Sequence, residues 1–439
     1  MNRETSTPVP ARDADPSTRR SVRAGMVAFY VDQFDIYLPV LVLASIGPYF
    51  APTGISETTA AVLAAMVFAA TLIARPIGAA IFGNFADTVG RKRTTVIAMS
   101  GFGFVTLLMA AIPGSATIGG ASIGLLIGLR FLNGIFLGGA YTSAVPLALE
   151  WTQPHRRGLV AGRLLSASPA AYATLGILSF VLQQSMSSDG AVSDYAQWGW
   201  RIPFVIGALL AFGAVILYRS SVTESPTQRT RAGDRRPLGE LLFGRYRRQL
   251  LQVLILMTGV WLANNMVSAV MPQLMGGHLQ FSGSQVSAIS AINSFGLVIA
   301  FQVYGALSQR TGRRRFYLWY GAVMAVVGSS LYAVLMTSDA GPVQATVLTV
   351  LVGWAVQGCF GPVAAYLTER FPSRVRASGF GTGYSLALVL PAFYSFYLAG
   401  LGAVMPSYLA PVVLIVIAGA LVTIGGALGP ETKNADLQR

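Results

Sequence analysis

Charge is scarce in this sequence, and so is cysteine. Only 11% of the 439 residues are charged and 54% are hydrophobic, whereas roughly 25% are charged in a typical soluble domain. The lone Cys359 excludes an internal disulfide and a metal site built from cysteines. The sequence also lacks a phosphate-binding loop, a hydrolase nucleophile motif and a metal-ligand cluster. We therefore expect no catalytic residue, no metal and no cofactor, and ATP-driven pumping is disfavoured.

Long apolar runs are what the sequence has in place of charge. Their length of about 18 to 25 residues is what an α-helix needs to cross a hydrocarbon core of ~30 Å. The strands of a β-barrel alternate in polarity, and these runs do not. The sequence predicts an all-α membrane protein whose transmembrane helices, numbered 1 to 12, lie near residues 24–50, 58–82, 95–112, 118–148, 159–185, 200–218, 250–275, 285–308, 316–337, 342–367, 379–401 and 408–428.

The net charge of +14 comes from basic residues that cluster between these runs. All but Arg75, Arg130 and Arg201 of the 31 basic residues fall on one side if the helices alternate in direction. An excess of Lys and Arg marks cytoplasmic loops, so this charge indicates topology and not binding to nucleic acid. Both chain termini are expected in the cytoplasm.

An internal repeat divides the chain in two. The segment GNFADTVGRKR at residues 83–93 recurs as GALSQRTGRRR at 305–315. The pair formed by Glu150 and Arg157 recurs as Glu369 and Arg376, at nearly the same offset along the chain. Large transporter halves are commonly parallel repeats. The predicted organisation is a cytoplasmic tail (1–23) without signal-peptide features, a six-helix half (24–218), a cytoplasmic linker (219–248), a second six-helix half (249–428) and a cytoplasmic C-terminal tail (429–439).

These motifs resemble those of the major facilitator superfamily. Residues 83–93 resemble its loop signature, and RFLNG at 130–134 resembles its helix 4 motif. WRIPF at 200–204 and PETK at 430–433 are similar to the sugar-porter and metabolite:proton symporter branches, and ARPIG at 74–78 and ERFPSRVRASG at 369–379 to the latter. The resemblance covers nearly the whole chain. It implies two pseudo-symmetric six-helix halves that transport by alternating access.

The repeated loops are predicted to gate the cytoplasmic side. Their glycines permit tight turns and close helix contact, and Asp87 can accept hydrogen bonds from nearby arginines. Such contacts would favour the outward-open state, whereas the alternative is that the charges only set topology. Gln309 replaces Asp87 in the second copy, so that gate is expected to be weaker. The predicted gating residues are Gly83, Asp87, Gly90, Arg91, Lys92, Glu150, Arg157, Gly305, Arg310, Gly312, Arg313 and Glu369.

Charges inside the helices point to the coupling site. A charge at the bilayer centre costs roughly 2.5–3.5 kcal/mol on insertion scales, yet Asp32 and Asp35 lie roughly 12 and 16 Å into helix 1, on one face. Arg130 reaches a similar depth in helix 4. The Asp-x-x-Asp spacing of Asp32 and Asp35 resembles that of aromatic-acid:proton symporters. We predict that these three residues couple protons, with Asp35 slightly favoured, and the alternative is a static ion pair. For Arg75, functional and structural roles stay equally open.

The predicted substrate site combines Arg130, which can hold an anion bidentately, with polar and aromatic side chains at mid-membrane. Asn264 and Asn265 are adjacent and cannot share one helix face. Ala140 and Leu165 stand where related symporters carry glutamate and glutamine, and the sugar-porter glutamine pair in helix 7 is missing, which disfavours a sugar substrate. The other predicted substrate-binding residues are Tyr37, Asn133, Tyr141, Trp261, Asn264, Asn265, Gln357 and Tyr384.

The resulting functional hypothesis is proton-coupled uptake of a small organic anion, such as a carboxylate or an aromatic acid. A negative cell interior opposes anion entry by about 2.3 kcal/mol per charge at 100 mV, and a co-transported proton cancels that cost. The expected partners are the substrate, protons and the lipid bilayer, and the protein is expected to be a monomer in a bacterial inner membrane. The alternatives are a proton-coupled exporter of drugs or metabolites and a non-transporting receptor, which would leave the buried charges unexplained.

The twelve-helix topology makes a direct prediction. Tags at both termini and at residue 230 will be cytoplasmic, and a tag at residue 190 will be external, because an even number of helices separates the first three positions. Labelling by an impermeant reagent on intact cells measures this. External labelling of residue 230 would contradict the topology.

Overall fold

The computed structural model describes residues 16–52, 54–187, 193–223 and 237–437. Residues 1–15 of the predicted N-terminal tail, residues 224–236 of the predicted linker and the tag positions 190 and 230 lie outside these ranges.

Twelve long helices, with a few short ones between them, account for most of the described chain. Eleven of them contain stretches long and apolar enough to cross a membrane, and α1 differs because Asp32, Gln33 and Asp35 interrupt its apolar sequence. Helices suit this setting because they satisfy every interior backbone N–H and C=O within the segment. The helices are α1 (Pro16–Leu41), α2 (Glu57–Thr88), α3 (Arg91–Ala110), α4 (Ala121–Glu150), α5 (Arg157–Ser185), α6 (Arg201–Ser221), α7 (Arg247–Gly277), α8 (Gly283–Thr311), α9 (Arg313–Thr337), α10 (Pro342–Arg370), α11 (Ser373–Gly402) and α12 (Ser407–Leu428).

The two repeated loops form equivalent glycine turns. Gly90 joins α2 to α3 with φ +126°, and Gly312 joins α8 to α9 with φ +96°. Both values lie where a side chain is rarely tolerated, so the turns require glycine. We call the end of the bundle that carries these two turns, the start of α1 and the C-terminus of α12 the basic end.

Helices of the C-terminal half (α7–α12) carry more interruptions than those of the N-terminal half (α1–α6). A π-helical turn at Met266–Val270 interrupts α7, a 3-10 turn at Gly358–Phe360 interrupts α10, and α11 breaks on either side of Val389–Ala392. In α2, α4 and α5 the prolines lie inside continuous helices. Interruptions of this kind are where a helix can bend.

The two halves meet along two helix pairs at the basic end. α2 packs along α11, and α5 packs along α8. A Cβ placed on Gly83 would lie 2.9 Å from Ser378 Cα, and one on Gly305 would lie 3.0 Å from Gly162 Cα. Small residues let helix backbones approach this closely, so the basic end is closed in this structure.

Candidate functional site

The acidic residues of α1 form two separate ion pairs. Asp32 and Asp35 are 0% and 1% exposed. An oxygen of Asp32 lies 3.6 Å from Arg75 Nη2, and an oxygen of Asp35 lies 3.6 Å from Arg130 Nη1. The sequence favoured one cluster around Arg130, and Arg75 was left open. Instead, two acids and two arginines together make the region electrically neutral. The sequence did carry a signal for the involvement of Arg75, because this residue lies deep in a predicted transmembrane helix.

The Asp35–Arg130 pair is enclosed within the N-terminal half. Thr106 of α3 donates a hydrogen bond to Asp35 Oδ1, and Asn133 Nδ2 of α4 donates to Thr106 Oγ1 at 3.0 Å. Asn133, predicted to bind substrate, is thus placed in this network. Among the described residues no hydrogen-bond partner faces Asp35 Oδ2 or the guanidinium nitrogens of Arg130. The pair is therefore held by charge and packing, and these atoms remain available for further hydrogen bonds.

The Asp32–Arg75 pair instead faces the interface between the halves. Gln33 Nε2 donates to Asp32 at 2.8 Å, and the guanidinium of Arg75 lies 4.9 Å from the ring centre of Tyr141. The Tyr141 hydroxyl in turn hydrogen-bonds with Ser385 of α11. This ion pair is one side chain away from the C-terminal half.

Three predicted aromatic residues form one cluster beside it. The rings of Tyr141 and Trp261 each lie 5.1 Å from that of Tyr384, and Trp261 Nε1 donates to the carbonyl of Tyr384 at 2.8 Å. Edge-on and tilted aromatic contacts of this kind are favourable. They connect α4, α7 and α11.

A cleft of ≈ 550 Å³, counted with its solvent-open part, lies between the halves. Tyr37 and Tyr172 line its N-terminal wall, and Asn264, Asn293 and Gln357 lie on the opposite wall. Asn264 and Gln357 lie near the middle of α7 and α10, and Asn293 lies in the part of α8 farther from the basic end. The lining continues along α7 through Ser268, which is exposed, to Met275. The cleft thus opens on the side opposite to the closed end.

Amide groups supply the polarity of the C-terminal wall. Gln357 Nε2 donates to Asn264 Oδ1 at 2.9 Å and to Ser268 Oγ at 2.7 Å. Within the described chain, Gln357 Oε1 and Asn293 Oδ1 are buried without a hydrogen-bond partner. Asn265 points elsewhere and donates to the Pro391 carbonyl at 3.0 Å, so the two adjacent amides do separate.

Tyr37 connects the cleft with the buried charges. Its hydroxyl lies 2.9 Å from Ser168 Oγ, which donates to Gln33 Oε1 at 2.8 Å. Gln33 then donates to Asp32. Side-chain hydrogen bonds therefore connect Tyr37, in the wall of the cleft, to Asp32.

At the basic end, Asp87 holds the start of α11. Its two oxygens accept from the backbone nitrogens of Ala377 and Ser378 at 3.0 and 2.8 Å, while Arg91 lies 3.7 Å away. The first backbone N–H groups of a helix have no partner within it, and the helix dipole favours a negative charge there. The sequence pointed to arginine partners for Asp87, but its hydrogen bonds go to backbone.

Glu150 completes this contact between the halves. It forms ion pairs with Arg91 of α3 and with Arg376 of α11, and all three side chains are buried. Lys92 bonds within its own half, to the Arg219 carbonyl at 2.8 Å. One acid thus joins cations from both halves, and breaking it would leave buried charges unpaired.

The second repeat forms the equivalent contact with Gln309. Its Oε1 accepts from the Gly158 backbone nitrogen, at the start of α5, at 2.9 Å and from Arg313 Nη2 at 2.7 Å. Arg313 also donates two hydrogen bonds of 3.1 Å to Glu369. The geometry repeats that of Asp87 without its charge, and the expected weakness of this gate stays a prediction.

The end of the chain lies across both contacts, which sequence reasoning missed. Arg157 donates to the Ala435 carbonyl at 2.5 Å, and Arg376 donates to that of Leu437 at 2.9 Å. Glu431 accepts from the backbone nitrogen of Arg313 at 2.8 Å. Lys433 donates to the carbonyl of Arg310 at 3.3 Å. The PETK segment was the only sequence signal for this arrangement.

The sequence profile of the Major Facilitator Superfamily matches residues 26–265 and 253–435. The chain belongs to the Major Facilitator Superfamily. It is a multi-pass membrane transporter of that superfamily, which confirms the resemblance and the fold predicted from the sequence.

Relatives within the superfamily carry small metabolites. The chain is 30% identical to the inner membrane metabolite transport protein YhjE of Escherichia coli (88% of this chain, 90% of that one) and 29% to its alpha-ketoglutarate permease (81% of both). It is 29% identical to the citrate-proton symporter of Klebsiella pneumoniae (82% and 79%) and 25% to the proline/betaine transporter of E. coli (100% and 89%).

A solved structure shows the same fold. The proton:xylose symporter XylE, bound to 6-bromo-6-deoxy-D-glucose, superposes with a TM-score of 0.76 at 18% identity, over 96% of this chain and 98% of that one. At this identity the likeness establishes the major facilitator fold and nothing about the substrate.

The contacts of Asp87 at the closed basic end lead to a prediction for the variant Asp87→Asn. Asparagine offers one acceptor where the carboxylate offers two, and it removes the charge facing Arg91, so the basic end will open more often. Reactivity of a cysteine placed at residue 378 with an impermeant maleimide will rise about three-fold or more, which corresponds to a shift of roughly 0.7 kcal/mol or more. Asp339→Asn, the same change at an exposed site of the opposite end, is the control, and equal reactivity in both variants would contradict the assignment.

Proposed function

We propose that this transporter couples proton entry to uptake of a small carboxylate. One observation carries the proposal: the two buried ion pairs differ in what they face. Asp35–Arg130 lies inside the N-terminal half, and Asp32–Arg75 lies where the halves meet. A proton and an anion would therefore bind at different but neighbouring ion pairs.

Asp35 is proposed to carry the proton. A carboxylate taken out of water holds a proton more readily, while a nearby cation opposes this. Protonation of Asp35 would cancel its attraction to Arg130 and leave a net positive charge in the N-terminal half. An anion in the cleft would restore neutrality, so each ligand favours the binding of the other.

Arg75 is proposed to anchor the carboxylate, in place of Arg130. In the described chain its Nε and Nη2 atoms have no hydrogen-bond partner, and the planar guanidinium can bind a carboxylate with two parallel hydrogen bonds. The contact with the Tyr141 ring orients that plane. Asp32 would neutralise Arg75 while the site is empty.

The remaining wall would bind the other end of the substrate. Gln357 lies across the cleft from Tyr37, and its Oε1 is a buried acceptor without a partner in the described chain. Asn293 lines the same wall, but its Oδ1 lies against Gly353 of α10. Gln357 Oε1 suits a hydroxyl or another donor. A buried polar group that only the right ligand satisfies discriminates strongly between ligands.

The relatives support a carboxylate. The substrates that these relatives are named for are alpha-ketoglutarate, citrate, proline and betaine, all of which contain at least one carboxylate group. One of these relatives is named as a proton symporter. The chemistry that they share is a carboxylate with a short polar or charged remainder.

The closed basic end is proposed to face the cytoplasm, because Lys and Arg accumulate there. The structure would then be outward-facing, ready to load from outside. Nothing in the site specifically favours an exporter, which would use the same residues in the opposite direction.

Asp35→Asn tests the proton site. Asparagine keeps the shape but cannot exchange a proton, so accumulation of substrate against its gradient will fall to the level of empty vesicles. Exchange of labelled for unlabelled substrate will survive, because it does not require proton release. Reconstituted vesicles with and without a pH gradient measure both, and Asp339→Asn serves as the control. Low protein yield together with loss of both activities would indicate a static ion pair, and retained accumulation would overturn the role of Asp35.

Substitutions of Arg75 test whether its guanidinium binds the carboxylate. Arg75→Gln will weaken binding of a carboxylate by about 10- to 100-fold, or roughly 1.4–2.8 kcal/mol, and Arg75→Lys will weaken it less. Ligand-induced thermal stabilisation of purified protein measures this, using citrate, 2-oxoglutarate and proline, with the corresponding amides, which lack the carboxylate charge, as controls. Unchanged carboxylate binding in Arg75→Gln would contradict the anchor.

A further inference from the structure

A groove at the basic end, outside the transport path described above, is lined by four arginines. Arg19 and Arg23 come from α1, and Arg156 and Arg163 come from the start of α5. Among the described residues no acidic side chain lines this groove. We call it the arginine groove.

Helix spacing explains why the cations converge. Arg19 and Arg23 are four residues apart on α1 and therefore point to the same side. In the described chain the side chains of Arg19, Arg23 and Arg163 have no hydrogen-bond or ion-pair partner, and all three are exposed. These three like charges around one groove repel each other unless an anion lies between them.

Between the arginines the lining of the groove is mainly apolar. Val22 and Met26 of α1 and Leu159 and Val160 of α5 supply it, and the hydroxyl of the buried Thr152 donates to the Ala148 carbonyl. Arg163 lies six residues beyond the start of α5, or roughly 9 Å along the helix. A cation at that depth, beside apolar side chains, lies at the level where lipid headgroups meet acyl chains.

We infer that the arginine groove binds the headgroup of an anionic phospholipid from the leaflet at the basic end. The phosphate would lie between the arginines, since guanidinium groups pair with phosphate oxygens bidentately. The upper part of an acyl chain would cover Val22, Met26, Leu159 and Val160. Basic pockets between transmembrane helices on the cytoplasmic side are suited to such lipids, and a free anion would leave the apolar lining exposed.

Lipid binding here would bear on gating as well. The groove joins α1, which carries both buried acids, to the start of α5, which packs on α8 where the halves meet. A bound headgroup would hold these two helices together while the basic end is closed. The inference does not depend on the substrate or on the proton site.

Lipid retention by the purified full-length protein tests this inference. Protein in mixed micelles that hold phosphatidylcholine and phosphatidylglycerol at equal amounts is analysed by native mass spectrometry. The wild type will retain one phosphatidylglycerol in preference to phosphatidylcholine. In the double variant Arg23→Gln, Arg163→Gln the ratio of retained phosphatidylglycerol to phosphatidylcholine will fall about ten-fold, which is equivalent to about 1.4 kcal/mol. The control Arg248→Gln, Arg315→Gln removes two exposed cations from the same end but outside the groove, and it will retain the preference.

A second measurement guards against misfolding of the variant. Short-chain phosphatidylglycerol will raise the thermal midpoint of wild type and control but not that of the groove variant, although all three unfold at similar temperatures without lipid. Equal retention by all proteins, or equal loss in groove variant and control, would overturn the site. So would displacement by millimolar inorganic phosphate, which would indicate a soluble anion. Retention that appears only after deletion of residues 1–15 would overturn it too, by showing that the chain's own segment covers the groove.

Discussion

A charge inside a bilayer is costly unless an opposite charge, a backbone carbonyl or water lies beside it, and this constraint shapes the N-terminal half. Its helices carry two acids and two arginines in their buried parts, and each acid is 3.6 Å from its own arginine. The four charges sum to zero, so any proton or anion that binds must disturb a balanced set. Because one pair is enclosed within the N-terminal half and the other lies at the interface between the halves, a proton and a substrate would disturb different pairs. This separation is the physical basis of the coupling that we propose.

The same rule operates at the basic end, where it joins the halves. Asp87 and Gln309 occupy equivalent positions in the two repeats, and each accepts hydrogen bonds from the start of a helix in the other half. Glu150 and Glu369 neutralise the arginines beside them. When this end opens, water can take the place of the partners that these groups lose. Buried charges can therefore hold the gate closed without preventing it from opening.

Much of this could be predicted from the sequence, because it depends on patterns within the chain. Apolar runs predicted the helices, and repeated motifs predicted two halves with glycine turns at Gly90 and Gly312. The pairing of side chains could not be predicted, since it depends on how helices rotate against each other. Arg75 was therefore undecided, and Asn133 was expected at the substrate site although it bonds to Thr106. Adjacent amides had to diverge, yet only packing against Pro391 shows that Asn265 is the one turned from the cleft.

The most direct test of the coupling is the movement of protons with substrate. Wild-type protein is reconstituted into weakly buffered vesicles without an imposed gradient, and a carboxylate that the protein binds is added outside while the external pH is recorded. The proposal predicts that the external pH rises as labelled substrate enters, and that a protonophore abolishes substrate accumulation driven by an imposed pH gradient. Entry of the carboxylate with no change in external pH would contradict proton symport, and a fall in external pH would indicate exchange of substrate against protons.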